Sequence, residues 1–90
     1  MITIILKLRS QLKMRLGADR LQIKLKENST IEDLIFRLGS DYGRELLQFL
    51  YDEKREAIKV LPIINKKKCF PTTVLEDGDE VLLLPPIAGG

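Results

Sequence analysis

The 90-residue sequence contains no histidine, no tryptophan and a single cysteine, Cys69. Without histidine, a Ser-His-Asp triad, a Cys-His nucleophile pair and a His-ligated zinc site are all excluded. One cysteine closes no internal disulfide, which fits a reducing cytoplasm. Long apolar runs are missing as well. No stretch approaches the roughly 18 to 20 residues that cross a bilayer, and Lys7 and Arg9 interrupt the first ten residues too early for a secretion signal. Charge of one sign is also lacking: fifteen Lys and Arg against thirteen Asp and Glu leave +2, so the whole-chain charge selects no partner. Lys66, Lys67 and Lys68 form the only dense basic run, and with no interleaved aromatics they read as a solvated hairpin tip. Neither nucleic acid nor a membrane is expected as a partner. Glycine-rich nucleotide loops, a Gly-Lys-Ser/Thr phosphate loop and a clustered metal-ligand set are absent too. The chain is therefore expected to bind no cofactor and no metal, and to catalyse nothing alone.

What is present is an ordinary globular composition, 44% hydrophobic and 31% charged, in a length that suits one domain. Ile2, Ile4, Leu6 and Leu8 alternate with Thr3, Ile5, Lys7 and Arg9, which is the period of a half-buried strand. Residues 10–19 read as a polar connection with at most one helical turn. Leu21, Ile23 and Leu25 then oppose Gln22, Lys24 and Lys26 in a second strand.

A helix follows. Ser29 and Glu32 have the spacing of a capping box, and Ile31, Leu34, Ile35 and Leu38 fall on one stripe, with Gly39 or Gly43 to end it. Residues 44–50 suggest a second short helix, and residues 52–56 a charged loop. Residues 58–64 are apolar and β-branched, with Pro62 pointing to an edge or a bulge. Asn65 opens a polar hairpin turn, and the last strand covers residues 81–84. Asp77-Gly78-Asp79-Glu80 ahead of it is either a good turn sequence or an acidic patch that steers a basic partner. Phe36, Phe49, Phe70, Tyr42 and Tyr51 are assigned to the core or its edge, and Cys69 to a small, partly buried position. Strand, strand, helix, then strands is an α+β layer, here the β-grasp pattern of the ubiquitin type: a mixed sheet of four to five strands with one main helix on one face. The domain spans residues 1–84, and residues 85–90 form a tail.

That tail, Pro85-Pro86-Ile87-Ala88-Gly89-Gly90, is the most informative segment. Two residues without a Cβ suit a thin chain end whose final carbonyl is open to attack. Pro85 and Pro86 stiffen its base, and six extended residues reach about 20 Å at roughly 3.3 Å each. Residues 77–90, from the Asp-Gly-Asp-Glu-Val turn to the diglycine, resemble the small subunit of molybdopterin synthase in the MoaD/ThiS family of ubiquitin-like sulfur carriers. The resemblance is loose over the rest of the chain, and the double proline favours the molybdopterin branch. It implies that an E1-like adenylyltransferase activates Gly90 with MgATP and that Gly89 keeps access to it clear. A persulfide then supplies the sulfur of a thiocarboxylate. The tail would enter the large synthase subunit and give its sulfur to a pterin precursor. The chain is then a co-substrate, with the catalytic residues in its partners. A ubiquitin-like protein modifier, or a sulfur carrier for thiamin or tRNA thiolation, would use Gly90 in the same way.

Alternation also predicts a docking face. Glu80 should point to water, so Val81 and Leu83 face the helix and Leu82 and Leu84 the open side. Ile5 is open by the same logic. If the first and last strands lie side by side, Ile5, Leu82 and Leu84 form an apolar patch at the tail's base, of the kind that marks interfaces.

Overall fold

The computed structural model describes residues 1–85. In chain order the elements are β1 (Ile2–Lys7), α1 (Ser10–Leu16), β2 (Arg20–Leu25), α2 (Ile31–Tyr42), α3 (Arg44–Leu50), β3 (Tyr51–Asp52), β4 (Ala57–Ile58), β5 (Leu61–Ile64), β6 (Lys67–Lys68) and β7 (Glu80–Leu84). Five strands form one sheet in the order β2-β1-β7-β5-β6, with β1 and β7 parallel and every other pair antiparallel. This is the expected mixed β-grasp sheet.

The alternation in β1 and β2 becomes a register. Ile2, Ile4 and Leu6 stand opposite Leu25, Ile23 and Leu21, so both apolar sets share a face. α2 covers that face with Ile31, Leu34, Ile35 and Leu38, all fully buried, and Val81 and Leu83 of β7 lie in the same core. The main helix has company. α3 adds Leu46 and Leu50, and α1, expected as a connection, is a seven-residue helix that buries Leu12 and ends on left-handed Gly17. Its length is below what a periodic pattern reveals, since two turns give a single i, i+4 pair, Leu12 and Leu16. No helix among the described residues is long and apolar enough to cross a membrane.

Two boundaries differ from expectation, and a third is decided between two candidates. The α2 cap lies one residue later than Ser29: Thr30 Oγ1 accepts from the Asp33 amide at 3.2 Å, and Asp33 Oδ2 accepts from the Thr30 amide at 2.9 Å. Two capping frames overlap in the sequence, and tertiary pairing selects between them. The Ser29 carbonyl accepts from the Leu75 amide, Thr30 bridges Val74, and the Ser29 hydroxyl donates back to Lys26, so the chain stays extended through residue 30. Gly43, with φ 111°, ends α2, whereas Gly39 sits inside it against Leu47. The run 58–64 is divided, because Ile58 pairs with Tyr51 across a hairpin whose charged turn is held by Asp52.

Candidate functional site

β7 leads directly to the tail, so the groups that fix its position decide where the tail emerges. Gly78, at φ 87°, makes the turn before it. The two aspartates of that turn are tied inward. Asp77 Oδ1 accepts from the Thr3 amide at 2.7 Å, and the Gly78 amide donates to the Thr3 carbonyl. Asp79, 8% exposed, accepts from Asn65 Nδ2 at 3.0 Å and from the Glu76 amide at 2.8 Å. Asn65 completes the link, since its Oδ1 accepts from the Glu80 amide and its own amide donates to the Glu80 carbonyl. Asn65 and Lys66 both have positive φ, the geometry of a two-residue hairpin turn between β5 and β6. The Asp-Gly-Asp segment is thus a structural knot joining β1, the β5–β6 turn and β7.

On the open side of the sheet, Ile5, Leu82 and Leu84 are all half-buried, and Val81 and Leu83 occupy the core side. The register separates Ile5 from the other two. Ile5 stands beside Gln22 and Glu80, whereas Lys7 stands beside Leu82. Between them Lys7 Nζ meets the Glu80 carboxylate at 3.0 Å and holds its pKa below the usual glutamate range. The apolar neighbours of Leu82 and Leu84 come from β5 instead, as Ile63 and Leu61.

The Cys69 amide bonds the Pro62 carbonyl, and Pro62 stands opposite core-side Leu83. Phe70 is 73% exposed and Leu61 41% exposed. Phe70, expected in the core or at its edge, is therefore exposed, as are Tyr42 and, less so, Phe36, which still packs on Tyr51. Leu61 and Ile63 were missed although a signal existed, because alternation about a buried Pro62 puts both on the open face. Pro62 fits inside the sheet because its carbonyl, and hence its hydrogen-free nitrogen, faces the two-residue edge strand β6.

Pro85 is half-buried where β7 ends; Pro86, Ile87, Ala88, Gly89 and Gly90 lie outside the described residues. Cys69 offers no activated thiol. Burial, then the Asp79 carboxylate, raises its pKa. Among the described residues no group of three His, Cys, Asp or Glu is placed to hold a metal ion.

The ThiS family model matches residues 7–90. Among solved structures, small archaeal modifier protein 1 from Methanosarcina acetivorans is 25% identical with a TM-score of 0.70, over 100% of this chain and 98% of that one. A Pyrococcus furiosus protein assigned as molybdopterin converting factor subunit 1 is 24% identical with a TM-score of 0.76, over 97% and 100%. Urm1 from Trypanosoma brucei is 20% identical with a TM-score of 0.74, over 98% and 95%. No curated protein is significantly similar in sequence. With the family match running from β1 through the final diglycine on a β-grasp sheet, the chain belongs to the ThiS family of ubiquitin-like sulfur carriers.

Proposed function

We propose that this chain carries sulfur as a thiocarboxylate on Gly90 and donates it to a pterin precursor in molybdopterin biosynthesis. The observation that carries this reading is the family match through residue 90, over a tail with the double proline Pro85-Pro86. The domain, residues 1–84, is the handle, and residues 85–90 are the reactive arm. A carboxylate is a poor electrophile, so an E1-like adenylyltransferase joins it to AMP from MgATP, releasing pyrophosphate. A persulfide sulfur displaces AMP, and a second thiol cleaves the resulting S–S bond to leave the thiocarboxylate. The large subunit of molybdopterin synthase then takes the tail, and the sulfur passes to the pterin. Leu82 and Leu84 dock these partners, with Ile5 at the margin. The site of action is the cytoplasm, where Cys69 stays a thiol.

Intact mass tests the reading. The chain, its cognate adenylyltransferase, MgATP and a persulfide donor should exchange one oxygen for sulfur, and the large subunit with a pterin precursor should remove it. A chain lacking Gly90 should keep its fold and form no adenylate; adenylation of that variant would sink the assignment. A second reading is favoured by the likeness to the small archaeal modifier: the activated Gly90 forms an isopeptide bond with lysine. Lysine conjugates in cells, with no sulfur passed to the pterin, would establish it.

A further inference from the structure

The two edges of the sheet differ in kind. β6 is two residues long, both of them lysine, whereas β2 runs for six residues and pairs only with β1. The direction of its free backbone groups follows from the register. The Thr3 carbonyl accepts from the Gly78 amide and the Ile5 amide donates to the Asp79 carbonyl, so both residues face the β7 side, and their partners Lys24 and Gln22 turn their own N–H and C=O away from β1. Arg20, two residues earlier, turns the same way. Arg37 of α2 bears this out: its Nη1 donates to the Lys24 carbonyl at 2.7 Å, while its Nε donates to Asp41 at 2.9 Å. The amides of Arg20, Gln22 and Lys24 and the carbonyls of Arg20 and Gln22 have no partner among the described residues. The side chains of these three residues are exposed in one row, and neither Arg20 nor Lys24 makes an ion pair among the described residues.

We infer that the β2 edge accepts an extended acidic segment of another protein as a further strand of the sheet, with carboxylates opposite Arg20 and Lys24. Strand addition satisfies open backbone groups by main-chain hydrogen bonds and leaves selection to alternate side chains. Here those side chains are two cations with neutral Gln22 between them. A second copy of this chain is the wrong occupant. Antiparallel pairing of two β2 strands about Gln22 sets Arg20 opposite Lys24 at both ends, and like charges directly opposite destabilise a ladder. A carboxylate at each place reverses the sign. Arg37 already holds the Lys24 carbonyl, so the ladder runs from the Arg20 amide to the Lys24 amide and stops there. β1 separates this edge from β7 and the tail, and the inference stands independently of the sulfur-carrier reading.

NMR titration of the full chain with the peptide acetyl-Thr-Val-Glu-Val-Thr-Val-Glu-Val-Thr-amide tests it, since the two glutamates share a face at the spacing of Arg20 and Lys24. Saturable shifts centred on residues 20–24 are expected, with exchange of the Gln22 and Lys24 amides slowed about tenfold or more by the new ladder. Arg20→Glu combined with Lys24→Glu should weaken binding about tenfold or more, because attraction becomes repulsion. Gln22→Pro should abolish it, because proline removes an outward amide that makes no bond within the sheet. If that variant fails to fold, the same peptide methylated on every backbone nitrogen gives the answer against the wild-type chain, and should not bind. Equal binding by the methylated peptide, or by a peptide with lysine in place of glutamate, would overturn the inference, as would the absence of shifts or shifts centred elsewhere. Self-association in sedimentation that protects the Gln22 amide would also overturn it, since the occupant is then a second copy. A chain lacking Gly90 should bind the peptide as the wild type does, which keeps this outcome distinct from that of the adenylation test.

Discussion

The two faces of β7 use the same amino acids for opposite ends. Val81 and Leu83 are 0% and 2% exposed beneath α2, whereas Leu82 and Leu84, one residue away, lie half-buried on the side of the sheet opposite α2. Each buried apolar side chain on the first face contributes roughly 1.5–3 kcal/mol to folding. On the second, Leu82, Leu84, Ile63 and Leu61 form a contiguous row that folding leaves partly in water. Hydrophobicity does not separate the two sets; parity along the strand does, and so a stability defect and a binding defect should alternate residue by residue.

The sharpest test is a charge placed on each face. Leu83→Asp should abolish folding, because an unpaired buried carboxylate costs several kcal/mol against a total stability of about 5–15 kcal/mol. Leu82→Asp or Leu84→Asp should keep a native circular dichroism spectrum and lose several-fold or more in partner affinity, since anchors at an interface centre dominate its energy. Unfolding in either open-face variant would erase the distinction.

The turn that sets the strand's parity comes next. Asp79→Ala leaves the Glu76 amide and the Asn65 side chain without their acceptor, and should cost about 1–3 kcal/mol in denaturant unfolding.

Gly39→Ala probes the layer behind the core face. Alanine usually gains up to about 1 kcal/mol over glycine within a helix. Here, however, its Cβ would stand 2.8 Å from Leu47 Cβ, the stiff root of that side chain. Overpacking of about 1–3 kcal/mol should win, so thermal melts should show a less stable protein. Stabilisation would mean that α2 and α3 separate easily.

The smallest effect is expected on the open face, at the Lys7–Glu80 pair. Lys7 depresses the Glu80 pKa in the folded protein, so the pair's contribution is fully present above the unfolded carboxyl value and is lost as pH falls through the lower folded one. Both side chains are well exposed, which keeps that contribution slight. In an NMR titration Lys7→Met should move the Glu80 midpoint upward and hardly shift the melting temperature.

Local periodicity determined much of this molecule in advance. Alternation sorted β1 and β7 into core and open positions, the i, i+3, i+4, i+7 stripe placed α2, and Asn65 marked its hairpin, because each depends on residues within a few positions of one another. The diglycine tail was legible for the same reason. What tertiary structure alone decided is adjacency. The parallel β1–β7 register sets Lys7 rather than Ile5 beside Leu82, the β5 pairing supplies Leu61 and Ile63, and the loop ahead of β7 moves the α2 cap from Ser29 to Thr30. Strand register and loop docking are contacts between residues up to 75 positions apart, as between Lys7 and Leu82, and no short-range pattern carries that information. Phe70 shows the same division: its aromatic side chain argued for burial, and the tertiary structure leaves it 73% exposed.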